Sequence, residues 1–206
     1  MKCQNILFEL LKTQPYFNKK ALYQLSEQYG LKKTTVDTCI SRSLKRKEII
    51  SLKNGLYISS HFNNQHKGDI SYLFLLANIL RIPSYISLWT ALQYYDLTTE
   101  SIHIITSVTP KVTRSYTTKV GNFVYRSIQK NLFSDFSLTK DNFNFFIASP
   151  SKALFDLLYF NTNQFRGLQM NDINTKIEEL RIDIDEMESE EQKNFYRMIH
   201  NFKHYE

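Results

Sequence analysis

The sequence predicts an α+β protein in which an N-terminal winged helix-turn-helix is followed by a mixed α/β domain that ends in a helical tail. Three observations carry this. The first sixty of 206 residues read, in order, as helix, helix, turn, helix and hairpin. The excess positive charge of the chain lies in those same residues. From residue 70 onward, apolar helical stretches alternate with short β-rich runs. The division implied is a DNA-binding domain over 1–60, a polar linker over 61–69 and a second domain over 70–206.

Each element has its own local chemistry. Ile6, Leu7, Leu10 and Leu11 form one apolar stripe of a helix over 2–12, which Pro15 punctuates. Asn18 is a cap for a second helix, carried by Ala21, Leu22 and Leu25 and stopped at Tyr29-Gly30. After a turn at Leu31 to Lys33, a third helix starts with Thr34 as its cap and Asp37 three residues on, a variant of the capping box. Its apolar face is Val36, Cys39, Ile40 and Leu44; its opposite face is Thr35, Thr38, Arg42, Lys45 and Arg46. Ile49 to Leu52 and Leu56 to Ser59 flank Asn54-Gly55, a strong hairpin signal. Tyr57 reads as a packing residue of that hairpin.

In the second domain, Ile70 to Leu80 is an apolar helix, and Ser87 is the expected cap of a helix over Leu88 to Tyr95. Strands are expected at His103–Ser107, near Val112–Tyr116, at Phe123–Arg126 and at Phe145–Ala148. Ser149 with Pro150 behind it is a preferred helix start, and Ala153, Leu154, Leu157 and Leu158 continue that helix. The tail from Asn171 reads as helical and acidic. Phe195, Tyr196, Ile199 and Phe202 sit there at helical spacing, for packing within the chain, for a partner surface or for shielding the basic domain.

Charge divides unevenly. Residues 1–60 hold 11 Lys+Arg against 4 Asp+Glu, a balance of +7; residues 61–206 hold 15 against 16, a balance of −1. A basic surplus confined to one small segment is the footprint of a polyanion-binding module. A recognition helix reads base edges from its leading half, where Lys32, Lys33, Thr34, Thr35 and Thr38 lie; Arg42, Lys45 and Arg46 follow, suited to phosphates or a guanine edge. The wing tip, Lys53-Asn54, reaches the flanking backbone or minor groove. Thr35, Thr38 and Arg42 with Lys53 form the narrowest reading face. Lys111, Arg114, Lys119 and Arg126, on or between candidate strands, are candidates for a second basic surface, for DNA or another partner.

Other chemistry is excluded or weak. Cys3 and Cys39 are the only cysteines, with no CxxC and no clustered histidines, so neither a zinc site nor a disulfide framework is expected. No phosphate loop, GxSxG elbow, HExxH or dinucleotide fingerprint occurs, so no enzyme, metal or cofactor is expected. Asp183 and Asp185 share the D-x-D spacing of magnesium-dependent nucleotidyltransferases, but no Gly-Ser turn precedes them and they read as a solvated face of the helical tail. No stretch approaches the roughly 20 apolar residues of a membrane span, so a soluble, cytoplasmic protein is expected.

Several runs resemble a known family. Ser84 to Leu97 (SYISLWTALQYYDL), His103 to Lys111 (HIITSVTPK), Gly121 to Ile128 (GNFVYRSI) and Ile147 to Tyr159 (IASPSKALFDLLY) are similar, in order and spacing, to segments of AbiEi-type antitoxins. Asn54 to Ile58 resembles the end of their wing. The resemblance covers about residues 15 to 160 and implies a division of labour. The winged helix would bind inverted repeats in its own promoter and repress it. The C-terminal domain would counteract a nucleotidyltransferase-like toxin, in a type IV system where a stable complex is not required. Two positions depart from the family: Asp96 where Gly is frequent, consistent with a helix stop, and Ser151 where an acid is frequent, consistent with a first-turn charge. A different reading is a winged-helix regulator whose second domain senses a small ligand.

Overall fold

A computed structural model describes residues 11–100 and 103–204. The expected helix over 2–12 lies outside the described residues except at its end, where Leu11 is buried; Cys3 lies outside them as well.

The N-terminal part runs β1 (Phe17–Asn18), α1 (Lys19–Gln28), α2 (Lys33–Lys45), β2 (Ile49–Lys53) and β3 (Leu56–Ser59). The three strands form an antiparallel sheet in the order β1-β3-β2. Asn18 caps α1 as expected, its Oδ1 accepting from Ala21 N at 2.7 Å. Thr34 does not cap α2. The cap is Lys32, whose side chain makes no capping bond, and Thr34 sits inside the first turn. With Lys32 as the cap the third helical position is Thr35, so Asp37 lies too far along to close a capping box; its Oδ1 instead accepts from the Tyr23 hydroxyl at 2.7 Å and pairs with the Lys19 ammonium at 2.9 Å. Val36, Cys39 and Ile40 are buried on the inner face of α2, with Ser43 beside them and Leu44 only half-buried. The hairpin closes at Asn54-Gly55, where Gly55 has φ +77°, a conformation open to Gly without strain. Tyr57 is buried and stacks on Phe17.

The stretch expected as a linker is structured. Ser59 Oγ accepts from Phe62 N and starts α3 (Ser60–Gln65), which buries Phe62 against Tyr72 and Phe143. Its polar composition hid a helix with one anchoring side chain. After it come α4 (Ile70–Leu80), β4 (Tyr85–Ile86), α5 (Leu88–Tyr94), β5 (Ile104–Thr109), β6 (Arg114–Thr117), β7 (Asn122–Ser127), a short 3-10 turn, β8 (Phe136–Thr139) and β9 (Phe145–Ala148). The sheet order is β6-β7-β5-β4-β9-β8, with β5/β7 and β4/β9 parallel and the remaining neighbours antiparallel. Two strands of this sheet had no clear signal in the sequence, two-residue β4 at its centre and β8 at an edge, as was also true of β1 in the first sheet.

Helices cover both faces of this sheet. On one face Tyr125 donates to the Ala77 carbonyl of α4, and Phe74 of α4 packs on Phe145. On the other lies α6 (Pro150–Asn161), started by Ser149 and Pro150 as expected. The tail forms α7 (Met170–Glu179) and α8 (Ser189–His204). Phe195 and Ile199 are fully buried and Phe202 meets Phe155 and Tyr159, so the aromatic stripe of α8 packs within the chain. Asp183 and Asp185 are not in a helix; they lie in the turn between α7 and α8.

Helix ends share one device. After α5, Asp96 takes φ +58°, its N–H bonds Gln93 O and the Leu97 N–H bonds Leu92 O. That pair of bonds with a left-handed residue is the Schellman stop, usually built on Gly. Asp96 therefore does the work that glycine usually does at such a stop. Lys47 and Arg181 stop α2 and α7 in the same way, without glycine.

The two caps can be told apart by measurement. Asn18→Ala is expected to cost about 1 kcal/mol of unfolding free energy through the lost cap. Thr34→Ala should stay within about 0.5 kcal/mol, as for an ordinary surface substitution. Urea unfolding of the two variants checks this; equal losses would restore Thr34 as a cap.

Candidate nucleic-acid interface

The outward face of α2 follows from which residues its core side removes. With Val36, Cys39, Ile40 and Ser43 buried, the stripe opposite is Thr34, Thr38, Ser41 and Lys45, at i, i+4, i+7 and i+11. All four are exposed, as are Arg42 and Arg46 on one flank and Asp37 on the other. Thr35 is half-buried and Ser41 takes the central place on the face. The sequence reading passed over Ser41 although its spacing marks it. Thr38 Oγ1 donates to Thr34 O at 2.9 Å, which leaves its lone pairs turned outward as acceptors.

Cation availability on this face is uneven. Arg46 lies 3.8 Å from Glu48, and Lys33 lies 3.8 Å from Glu27; both pairs are exposed and weak. Among the described residues, Lys32, Arg42 and Lys45 pair with no carboxylate. Lys19, absent from the sequence reading, joins the face. Its backbone N–H donates to Gly55 O at 2.8 Å, and its ammonium pairs with Asp37, so one residue ties the hairpin turn to α2. The hydrogen bond from Lys19, seconded by Tyr23, holds Asp37 below its ordinary pKa, so this carboxylate is charged and matched. Asn54 is exposed at the turn, while Lys53 points elsewhere: its ammonium donates to Leu80 O at 2.7 Å. Cys39 is buried and burial pushes its thiol up, as a packing residue should behave.

Lys111, Arg114, Lys119 and Arg126 do not converge. Arg114 faces the same side of the sheet as Tyr125, its cross-strand partner, and lies over Tyr116. Arg126, one residue on from Tyr125, faces the other side and lies over Phe160 of α6. Lys111 and Lys119 sit in the turns at opposite ends of β6. The period-two alternation of a strand that α4 and α6 sandwich is what splits the set.

Away from this surface, the second part holds a buried polar network. Lys152 and Asp156, one turn apart on α6, are 2% and 0% exposed and pair at 2.7 Å. Asp156 also accepts from the hydroxyls of Tyr85 (2.9 Å) and Ser87 (2.8 Å), and Lys152 donates to Leu132 O at 2.8 Å. Ser87 precedes α5 as expected, but its hydroxyl serves Asp156 rather than capping α5. Burial pushes Asp156 up, opposed by Lys152, Ser87 and Tyr85; burial, then the Asp156 charge, pushes the Tyr85 phenol well up. Ser151 leaves the first turn of α6 without an acid, and Glu191 of α8 supplies one by accepting from Ser151 N at 2.9 Å. Beside it lies a cleft of about 370 Å³ lined by Tyr95, Leu97, Pro150, Met187 and three carboxylates, Glu186, Glu188 and Glu191. Among the described residues no group of three or more His, Cys, Asp or Glu is placed to hold a metal ion, and no helix is long and apolar enough to cross a membrane.

No family model and no curated protein matches the chain.

The buried pair makes a prediction independent of any function. Lys152→Met leaves an uncompensated buried carboxylate and is expected to cost about 3–5 kcal/mol. Adding Asp156→Asn removes that charge while keeping an acceptor for Tyr85 and Ser87, so the double variant should recover most of the loss. Thermal or urea unfolding reads both; a double variant no better than the single would mean the pair is not coupled.

Proposed function

We propose that β1, α1, α2, β2 and β3 act as a winged helix-turn-helix and that the chain is a DNA-binding autorepressor. The observation that carries this is the outward stripe of α2. Short hydroxyls at its leading end and unpaired Arg42 and Lys45 behind them lie beside Lys19 and the Asn54 turn. A helix of this kind fits the major groove, hydroxyls and Arg meet base edges, and the flanking cations meet phosphates. The partner is double-stranded DNA, read as inverted repeats in the chain's own promoter, in the cytoplasm and without cofactor or catalytic step.

The second part we assign to antitoxin action against a nucleotidyltransferase-like toxin, on the resemblance to AbiEi-type antitoxins. Two features of the fold support it. The resembling segments Ser84–Leu97 and Ile147–Tyr159 meet, Tyr85 and Ser87 from one holding Asp156 from the other. The two departures are also accounted for: Asp96 takes the left-handed stop, and Glu191 supplies the first-turn charge missing at Ser151. The ligand-sensing alternative finds its support in the acidic cleft around Glu186, Glu188 and Glu191, which suits a cationic small molecule.

If about six phosphates are neutralised, log affinity should fall against log salt with a slope near −5. Arg42→Ala with Lys45→Ala should flatten it by about 2 and weaken binding to the upstream region, measured by mobility shift, while still rescuing growth from the neighbouring toxin. A folded double variant that lost both functions would refute the division of labour, and failure of the unaltered chain to rescue growth would remove the antitoxin assignment.

A further inference from the structure

The hairpin turn is bonded, link by link, to a part of the second sheet that carries only positive charge. Lys19 N–H reaches Gly55 O, and two residues before Gly55 the Lys53 ammonium reaches Leu80 O at the end of α4. The next residue, Arg81, donates through Nη2 to Val112 O at 2.6 Å, and Lys111 donates through its ammonium to Ile82 O at 2.6 Å. The turn after α4 and the turn between β5 and β6 therefore clasp each other beside the hairpin. Arg114 follows at the start of β6, exposed and lying over Tyr116.

The charge around this clasp is one-sided. Residues 70–95 contain one charged residue, Arg81, and residues 101–134 contain five Lys or Arg and no Asp or Glu. Among the described residues, Arg81, Lys111 and Arg114 pair with no carboxylate. A carbonyl contact occupies one of the three donors of the Lys111 ammonium and one of the five of the half-buried Arg81 guanidinium, whose Nε is enclosed without a partner, so both cations are positioned without being neutralised. Positioning lowers the entropy lost when a phosphate is gripped. Ile82 and Val112, 65% and 76% exposed, stand at the tips of the two turns. A protein-binding centre would offer an aromatic anchor in a pocket; two small aliphatic tips among cations suit a sugar–phosphate ridge better.

We propose that the DNA-contacting surface extends from the hairpin turn onto the clasp, where Arg81, Lys111 and Arg114 grip backbone phosphates flanking the site that α2 reads. The proposal rests on the winged-helix reading above. It makes the second part of the chain a contributor to DNA affinity, and it separates Lys111 and Arg114 from Lys119 and Arg126.

The test uses the full chain and mixed-sequence duplexes of about 12 and about 22 base pairs, one helical turn apart in length, followed by fluorescence anisotropy across a salt series. The unaltered chain should show a steeper salt slope on the longer duplex, by about 2 to 3 for two to three added phosphates. Lys111→Gln with Arg114→Gln should flatten the slope on the longer duplex by about 2 and leave the shorter one unchanged. Lys119→Gln, at the other end of β6, should change neither. Arg114→Gln alone, which breaks no backbone contact, should remove about 1 from the slope and stands in if the double variant unfolds at a lower temperature. Equal slopes for the variants and the unaltered chain on both duplexes would overturn the clasp while Arg42→Ala with Lys45→Ala still flattens binding. Absence of salt-dependent binding by the unaltered chain would overturn the DNA reading and the clasp together. Unchanged DNA binding with lost rescue from the toxin would overturn it in favour of an acidic protein partner.

Discussion

Strand β3 has buried side chains on both of its faces, and the arrangement of the chain depends on this. Tyr57 points into the small core formed with Phe17, Leu22, Val36, Ile40 and Ile49, while Leu56 and Ile58 point the opposite way into the large core. Leu52 of β2 joins the large core, and Ile50 packs against its edge. Because side chains alternate along a strand, a slip of one residue would drive Tyr57 into the wrong core and turn Ile58 out of its own. The register set at Asn54-Gly55 therefore fixes the angle between α2 and the second sheet. Lys53 on Leu80 O and Tyr72 on Pro15 O add polar ties to the same junction.

A shared hairpin changes what the two parts can do for each other. Had the chain crossed a flexible polar linker at 61–69, α2 would have moved freely of the rest. Instead α3 seats Phe62 beneath Tyr72, and His66 lies against Phe62 and Phe143, so the crossing is packed. The packed crossing, with the Lys53 bond to Leu80 O, is what sets Arg81, Lys111 and Arg114 beside the hairpin that follows α2. The second part also carries a costly feature of its own in Lys152 and Asp156. Two desolvated charges rarely gain net stability over an apolar pair of similar volume. Their ion pair and three hydrogen bonds instead hold β4, α6 and the turn at Leu132 in one relation, which apolar packing would specify less sharply.

Most elements with a local cause were legible. Asn18, Gly30, Asn54-Gly55 and the Ser149-Pro150 start all act within four residues of themselves, and each does in the fold what its type implies. The apolar stripe of α8 was legible too, because Phe195, Ile199 and Phe202 repeat at helical spacing. The failures have a common origin. Thr34 has the composition of a cap, but the helix starts one residue before it, at Lys33, and Asp37 is held instead by Lys19 and Tyr23 of α1. Two-residue β4 has no period to detect; its place at the centre comes from β5 and β9 on either side. Lys47 and Arg181 hold left-handed stops without being glycine, so residue type did not announce them.

For the candidate surface the same line can be drawn. The sequence by itself determined that positive charge and short hydroxyls would sit on one helix before a tight hairpin, because spacing of 3.6 residues and an Asn-Gly turn are local properties. Only the tertiary structure decided which of those groups stand together. It brought Lys19 to the face, withdrew Lys53 to Leu80, and set Arg114 and Arg126 on opposite sides of a sheet. Those outcomes depend on contacts between residues far apart in the chain, and a pairing at that distance leaves no pattern in the neighbouring sequence.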